Sequence, residues 1–382
     1  MLNSIARDSR LALLVGLSIG IVGLPNVGKS TLFNALSAAK AEAANYPFCT
    51  IEPNVGVVQV PDPRLAALDT VVHADRIMPA TIDFVDIAGL VRGAHKGEGL
   101  GNQFLSHIRE VDAVVQVARC FDDPNVVHVE NRVDPVADID TVTMELCLKD
   151  LETVNKRGDR AKKLLKTNNA IEKIAAEMCD ALAKHLDDGR PARTFRVPDH
   201  ADAPTVLREM HLLTAKPMFY IGNVDEGSLG KLAENKHYQA LKARAEAEKA
   251  LVVPICASLE AQIAELEPAD RPEFLASAGL TEPGLFAVVR TGFDLLGLIT
   301  YFTAGKVEVR AWTIKRGTKA PQAAAAIHTD FEKGFIKAEV VWWEDFIKLG
   351  GESKARDAGK MGIEGKEYVV RDGDVMHFKF NV

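Results

Sequence analysis

The apolar positions of this chain change period several times, and each change marks a part of the molecule. Ile19, Ile21 and Val22 form a short β-branched run that predicts a strand, and Thr31 to Leu36 then reads as helix. Val55 to Val60 predicts a second strand, Leu65 to Val72 a short helix, and Ala80 to Val85 and Ala113 to Val117 two further strands. Beyond Asp134 the period lengthens. Ile139, Val142 and Leu146 fall on one helical face, and Ile171, Ile174, Met178, Leu182 and Leu186 form a stripe at spacings of three and four. The break at Lys166-Thr167-Asn168-Asn169 turns the two into an antiparallel helical hairpin. Strand-like sequence returns at Pro217 to Gly222 and at Lys249 to Ala257. Strands alternating with helices over residues 18–260, with one helical insertion, predict an α/β fold built on an open, mostly parallel sheet.

From about Ile299 the pattern shifts again. Tyr301 to Thr303, Val307 to Trp312, Ala338 to Trp342 and Tyr368 to Val370 are short strand candidates, and Asp372-Gly373-Asp374 is a turn before a last strand, Val375 to Phe380. Ala323 to Ala326 reads as an ordinary helix or loop segment, so the C-terminal part is a small α+β module. A chain of 382 residues exceeds one ordinary core and holds two or three domains.

Composition narrows the function classes. With 47% hydrophobic and 26% charged residues the chain is globular, and a net charge of −7 means that any contact with nucleic acid must be local. Cys49, Cys120, Cys147, Cys179 and Cys256 are scattered without a C-x-x-C pair, which argues against a zinc site or a disulfide framework. Arg7 and Arg10 before LALLVGLSIGIVGL imitate a secretory signal, but that apolar run flows into the next motif with no small-residue cleavage site. Met1 to Leu17 therefore reads as an N-terminal extension, the protein as cytoplasmic, and no segment as membrane-spanning.

That motif is Ser18 to Thr31, SIGIVGLPNVGKST, with Gly23, Gly28, Lys29 and Ser30 at the G-x-x-x-x-G-K-[ST] spacing between a strand and a helix. Glycines let backbone N–H groups curl round a phosphate, and the helix N-terminus presents its positive end to the same anion. Asn26, Val27, Gly28, Lys29, Ser30 and Thr31 are the expected nucleotide-binding residues; Lys29 reaches the β- and γ-phosphates and the Ser30 hydroxyl ligates Mg²⁺. Thr50, about twenty residues further on, stands where nucleotide switches place a threonine that completes the Mg²⁺ shell. Asp86-Ile87-Ala88-Gly89, at the end of a buried strand, supplies a Mg²⁺-holding carboxylate in Asp86 and a γ-phosphate-sensing N–H in Gly89. Leu90 occupies the position of the water-orienting glutamine of Ras-like switches, so catalysis draws on another group. The segment VRGAHKGEGLGNQF, with glycines at 93, 97, 99 and 101, reads as order-on-binding, and His95 within it as a solvated loop residue or a proton carrier. Lys156, Arg157, Arg160, Lys162, Lys163 and Lys166 crowd the hairpin tip, either as a solvated face or as a local phosphate-binding surface for RNA.

On GLPNVGKST, NYPFCTIEPN, DIAGLVRGAHKGEGLGNQFLSHIRE and the N-x-x-E stretch at Asn223, the chain resembles the YchF group of Obg-like ATPases, within the translation-factor-related class of P-loop NTPases. The likeness covers all but Met1 to Leu17. It implies an Obg-type nucleotide-binding domain at 18–280 with the helical hairpin inserted at about 135–195, and a β-grasp-like TGS domain at 297–380. It also implies base choice. Where GTPases of this class carry N-K-x-D, this chain has Asn223, Val224, Asp225 and Glu226; a glutamate is one methylene too long for the guanine contact, so ATP is preferred and GTP binds more weakly. Asn223, with its expected contact to the adenine edge, Val224, Glu226 and Ser258 are thereby nucleotide-binding positions. Family members assign water activation to a histidine whose place in VVQVARCF is taken by Gln116. Gln116 therefore joins Lys29 and Gly89 as a catalytic candidate, one that can position a water but not take its proton. Asn26 is the residue type that ligates a stimulating K⁺ in related NTPases, which adds K⁺ to Mg²⁺ as a cofactor. The implied partner is the ribosome, through its large (50S) subunit and rRNA, met by a monomer. A ribosome-assembly GTPase and an ATP-gated RNA-binding adaptor with negligible hydrolysis are the alternative readings.

Overall fold

The computed structural model describes residues 17–38, 54–87, 100–126, 128, 132–167 and 169–381. Thr50, Gly89, Leu90 and His95, and all of the N-terminal extension but Leu17, lie outside the described residues. In chain order, β1 (Ser18–Val22) runs into α1 (Lys29–Ala38), followed by β2 (Val55–Gln59), α2 (Pro63–Val72), β3 (Ile77–Met78) and β4 (Thr81–Asp86). Then come α3 (Leu100–Glu110), β5 (Ala113–Arg119), the long pair α4 (Pro135–Leu164) and α5 (Ala170–Asp187), and short α6 (Ala203–Glu209). β6 (Met218–Asn223), α7 (Lys236–Glu248), β7 (Val252–Ile255), α8 (Ala257–Glu265), α9 (Arg271–Ser277) and α10 (Gly284–Leu295) complete this part. The chain forms two compact units: Ser18–Gly56 with Phe84–Val288, and Val57–Asp83 with Val289–Val382.

The first unit contributes β1, β5, β6 and β7 to a sheet of order β2-β4-β1-β5-β6-β7, in which β1–β5, β5–β6 and β6–β7 are parallel, so the expected α/β class holds. All of β5 is buried, as a central parallel strand covered on both faces must be, and its two polar side chains, Gln116 and Arg119, therefore need partners inside the protein. The hairpin forms where the lengthened period placed it. Asp134 caps α4 by accepting from Ala137 N at 3.0 Å with Pro135 at the first turn, and Asn169 caps α5 by accepting from Ile171 N at 3.0 Å. Val154, Ala161, Ala175, Met178, Cys179, Leu182 and Leu186 form its seam. The two helices approach closely at Gly158, where an added Cβ would lie 3.1 Å from Cys179 Cβ. Arg157 is spent on Glu172 (2.7 and 3.3 Å) and Lys162 on Asp180 (2.7 Å), while Lys156, Arg160, Lys163 and Lys166 are exposed.

The second unit adds β8 (Leu298–Ala304), β9 (Val309–Lys315), α11 (Ala320–Ala325), α12 (Thr329–Lys333), β10 (Phe335–Trp342), α13 (Trp343–Leu349), α14 (Glu352–Asp357), β11 (Gly362–Glu364) and β12 (Asp374–Phe380). Its sheet has the order β11-β10-β12-β8-β9-β3, with β8 and β12 the central parallel pair and antiparallel strands beside them. The alanine run is a helix, α11, because Ala320, Ala323 and Ala324 pack fully buried against the sheet and Tyr301 donates its hydroxyl to Ala323 O at 2.8 Å. Tyr368 to Val370 does not form the expected strand; Val369 makes only an isolated bridge with Lys319. β3, too short to be seen as a strand in the sequence, extends this sheet by pairing parallel with β9, and so brings residues 57–83 into the C-terminal unit. Among the described residues no helix is long and apolar enough to cross a membrane.

Candidate nucleotide site

The site starts from two glycines whose backbone no other residue could copy at low cost. Gly23 has φ +151° and Gly28 φ +99°; a Cβ at Gly23 would sit 2.6 Å from Val117 O, and one at Gly28 would collide with Asn223 Nδ2. Asn26 between them also takes a left-handed conformation, φ 63°, which Asn tolerates better than most side chains. The loop thus turns tightly from β1 into α1, whose N-terminus it leaves facing the cleft.

Lys29, the first residue of α1, is buried and donates Nζ to Leu24 O at 2.7 Å across the loop. Burial pulls its pKa down to about 8, and the negative Asp86 partly opposes that shift. Asp86 at the end of β4 is held above the usual carboxylate range, chiefly by burial and against the pull of Lys29. Among the described residues this buried ammonium has one hydrogen-bond acceptor, a neutral carbonyl, and phosphate oxygens would give it anionic ones. Ser30 is exposed at the cleft, and Asp86 is near enough to Lys29 to act on its charge; a hydroxyl and a carboxylate are oxygen donors of the kind hard Mg²⁺ takes.

The opposite side comes from the ends of β6 and β7. Asn223 is buried; its Nδ2 donates to Val27 O at 2.9 Å and its Oδ1 accepts from Ala257 N at 3.0 Å. One amide therefore ties the phosphate loop to the start of α8, and the adenine contact expected of Asn223 must come from what its two ends have left over. Val224 is buried, Glu226 is exposed, and both line the cleft with Asp225 and Ser258. Asn26, Gly28, Lys29, Ser30 and Thr31 line the loop side, and Val27 contributes its carbonyl from beneath. The cleft measures about 570 Å³, within the range of small-molecule sites.

Gln116 is not brought to this cleft. It is buried in β5 and donates Nε2 to Ile139 O at 3.3 Å, beside a small space lined by Thr143, Leu146 and Met218. Its place in the strand turns its amide towards α4, where it satisfies a carbonyl. Sequence reasoning, for its part, missed the third wall. Phe121, Asp122, Asp123, Pro124 and Val126, the loop after β5, line the cleft beside Asn223 to Glu226. The register explains this, since Arg119 at the end of β5 stands opposite Asn223 at the end of β6 and the two following loops leave the sheet side by side. A proline-containing loop at the carboxyl end of a buried parallel strand was the available signal. A second cleft of about 570 Å³ lies in the C-terminal unit; its lining includes Trp312, Phe331, Phe346, Phe378 and Phe380, and among the described residues no glycine loop of the phosphate-binding kind faces it.

Comparison with known proteins agrees with this geometry. Residues 18–149 match a family model described as a 50S ribosome-binding GTPase, and residues 298–381 match the YchF-GTPase C-terminal family, described as a protein of unknown function (DUF933). The chain is 50% identical over 368 residues to the ribosome-binding ATPase YchF of Bacillus subtilis, covering 96% of this chain and 100% of that protein. It is 50% identical to the protein of the same name from Escherichia coli O157:H7, again with 96% and 100% coverage. The solved structure of the Schizosaccharomyces pombe YchF GTPase superposes with a TM-score of 0.84 at 38% identity, covering 95% of this chain and 98% of that one.

Proposed function

This chain belongs to the YchF family of P-loop nucleotide hydrolases, and from that premise we propose a Mg²⁺-dependent switch that hydrolyses ATP in preference to GTP and binds the ribosome. The observation that carries the reading is the cleft in which Lys29 and the glycine loop face the Asn223 to Glu226 stretch. Phosphoryl transfer depends mainly on positioning and electrostatics. Lys29 exchanges its bond to Leu24 O for β- and γ-phosphate oxygens, and the loop N–H groups hold the phosphates in line for attack by water. Ser30 and Asp86, with Thr50, would hold Mg²⁺, which when bound neutralises charge on the phosphates; Gly89 would offer its N–H to the γ-phosphate. Val224 and Glu226 replace the lysine and aspartate of a guanine-reading motif, which supports ATP as the tighter ligand. Ribosome binding comes from the named relatives, and the exposed Lys156, Arg160, Lys163 and Lys166 offer a cationic face for rRNA on an otherwise acidic chain.

A second reading, an ATP-gated adaptor with negligible hydrolysis, is favoured by one observation: the amide of Gln116 is engaged with Ile139 O, outside the cleft. Equilibrium binding of ATP and GTP with Mg²⁺, followed by single-turnover hydrolysis with and without ribosomes, tests both. ATP binding at least about tenfold tighter than GTP, roughly 1.4 kcal/mol, with turnover, is the expected result. Tighter GTP binding would replace the reading by the assembly-GTPase one, and tight ATP binding without turnover by the adaptor. On this geometry Gln116→Ala changes turnover by less than about twofold, because positioning by Lys29 and the loop dominates. The same assay run in Na⁺ and in K⁺ tests the K⁺ role of Asn26, which equal rates would remove.

A further inference from the structure

Arg119 is a guanidinium almost wholly inside the protein, 1% exposed, and among the described residues no carboxylate forms an ion pair with it. Such a side chain is rare, because removing its charge from water is costly unless other groups replace the lost hydration. Here the replacement comes from one short stretch of main chain. Nε donates to Phe121 O at 3.0 Å, Nη2 to Asp123 O at 3.1 Å and Nη1 to Val126 O at 2.8 Å. The guanidinium also lies over the Phe121 ring, 4.6 Å from its centroid. Three carbonyls of one six-residue loop thus converge on a single cation, which leaves the loop little freedom to open. The loop adds its own closure, with Asp123 Oδ1 accepting from Asn125 N at 2.8 Å, and Asn235 fixes its start by donating to Cys120 O at 2.8 Å.

This loop is a wall of the nucleotide cleft. Phe121, Asp122, Asp123, Pro124 and Val126 line it, together with the residues of the Asn223 to Glu226 stretch. Carboxylates gather on this side, at Asp122, Asp123, Asp225 and Glu226, so a triphosphate directs its anionic end to the glycine loop and its nucleoside here. We propose that Arg119 is a positioning residue: it touches no ligand, but by gathering the carbonyls of Phe121, Asp123 and Val126 it holds the loop that receives the nucleoside end of the ligand. A lysine cannot take its place, since one ammonium lacks the planar fork that reaches three acceptors at fixed angles.

The inference rests on the nucleotide reading and sharpens it, because it separates the two ends of the ligand. Its test compares the Kd of ATP with that of inorganic tripolyphosphate, each with Mg²⁺, for the full-length protein, Arg119→Lys and Phe121→Ala. Phe121 is only partly buried, so Phe121→Ala guards against the case in which Arg119→Lys fails to fold. Both variants are expected to weaken ATP at least about tenfold and to leave tripolyphosphate within about twofold. In Arg119→Lys the amides of Asn125 and Val126 should exchange faster while those of α1 do not. ATP affinity unchanged in Phe121→Ala, or ATP and tripolyphosphate weakened together in that variant, would overturn the proposal. Should the wild type prefer GTP, the same comparison is read with GTP; only the base assignment above then fails, while a wild type that binds neither nucleotide sinks both.

Discussion

At the scale of single residues, the site is made of side chains and backbones that have little choice. Gly28 illustrates this, for its φ of +99° and its contact with Asn223 exclude a Cβ for two separate reasons. Gly28→Ala must either twist the loop out of its left-handed conformation or push Asn223 off Val27 O, and in both cases the backbone that faces the phosphates moves. The expected cost is about 1–3 kcal/mol of stability, with ATP affinity down at least about tenfold. Calorimetric titration alongside a denaturant melt checks this, and an alanine variant that binds ATP normally would show that the loop tolerates other geometries. Lys29 follows a related logic: burial has already removed its water, so its charge is ready for an anion and its loss cannot be made good by a neighbour.

At the scale of elements, the helical hairpin has a pH dependence that can be worked out. His185, near the end of α5, is buried, with Nε2 3.2 Å from Pro191 O and 3.0 Å from Thr194 Oγ1. A carbonyl only accepts, so the neutral ring carries its proton on Nε2. Burial lowers the pKa from 6.5, and the bond to Pro191 O only partly opposes this. The unfolded chain therefore binds the extra proton first. The stability due to neutral His185 is complete above pH 6.5 and is lost as pH falls towards the lower folded value, with a slope of at most about 1.4 kcal/mol per pH unit. Melting at pH 7 and pH 5 should show a larger loss for the wild type than for His185→Gln, which keeps a donor but no titration; equal losses would refute the assignment. The hairpin was also the element most legible in the sequence, because a stripe at spacings of three and four over Ile171 to Leu186 admits one period and one buried face. The phosphate loop was legible for another reason: its glycines, lysine and serine carry their chemistry in their spacing. The loop of Phe121 to Val126 was not, since its place depends on β5 and β6 pairing Arg119 with Asn223, a relation between residues 104 positions apart that no local pattern contains. The partner of Gln116 was hidden for a similar reason. A glutamine in an apolar strand looks like chemistry, whereas here it meets the carbonyl of a helix that arrives twenty-three residues later.

At the scale of the whole molecule, the least expected feature is the membership of residues 57–83. The chain before and after them belongs to the nucleotide-binding unit, and they themselves to the compact unit formed by the C-terminal strands. Arg64 at the start of α2 is the clearest fastening. It pairs with Asp62 at 2.7 Å and with Asp372 at 2.9 Å, stacks over Phe302 with 5.0 Å to the ring centroid, and its partner Asp372 in turn accepts from Thr300 N at 2.9 Å. Arg76 adds a pair with Glu308 at 3.0 Å, and β3 pairs with β9. Arg64 is largely covered, so its pairs are worth more than those of a surface bridge, and its removal also strips the face of Phe302. Arg64→Ala is expected to lower the stability of the C-terminal unit by about 1–3 kcal/mol. The signature to measure is hydrogen exchange. Amides of α2, β8 and β9 should exchange faster in the variant, while those of α1, which belong to the nucleotide-binding unit, keep their wild-type rates. Faster exchange confined to α2 would show that the segment rests on the C-terminal strands without stabilising them, and unchanged exchange throughout would remove Arg64 as a fastening. The distinction matters for any switch built on this chain. Residues 57–83 share a compact unit with the C-terminal strands although the chain before and after them belongs to the nucleotide-binding unit, so exchange in α2, β8 and β9 tells whether that segment is a structural part of the C-terminal unit or only rests on it.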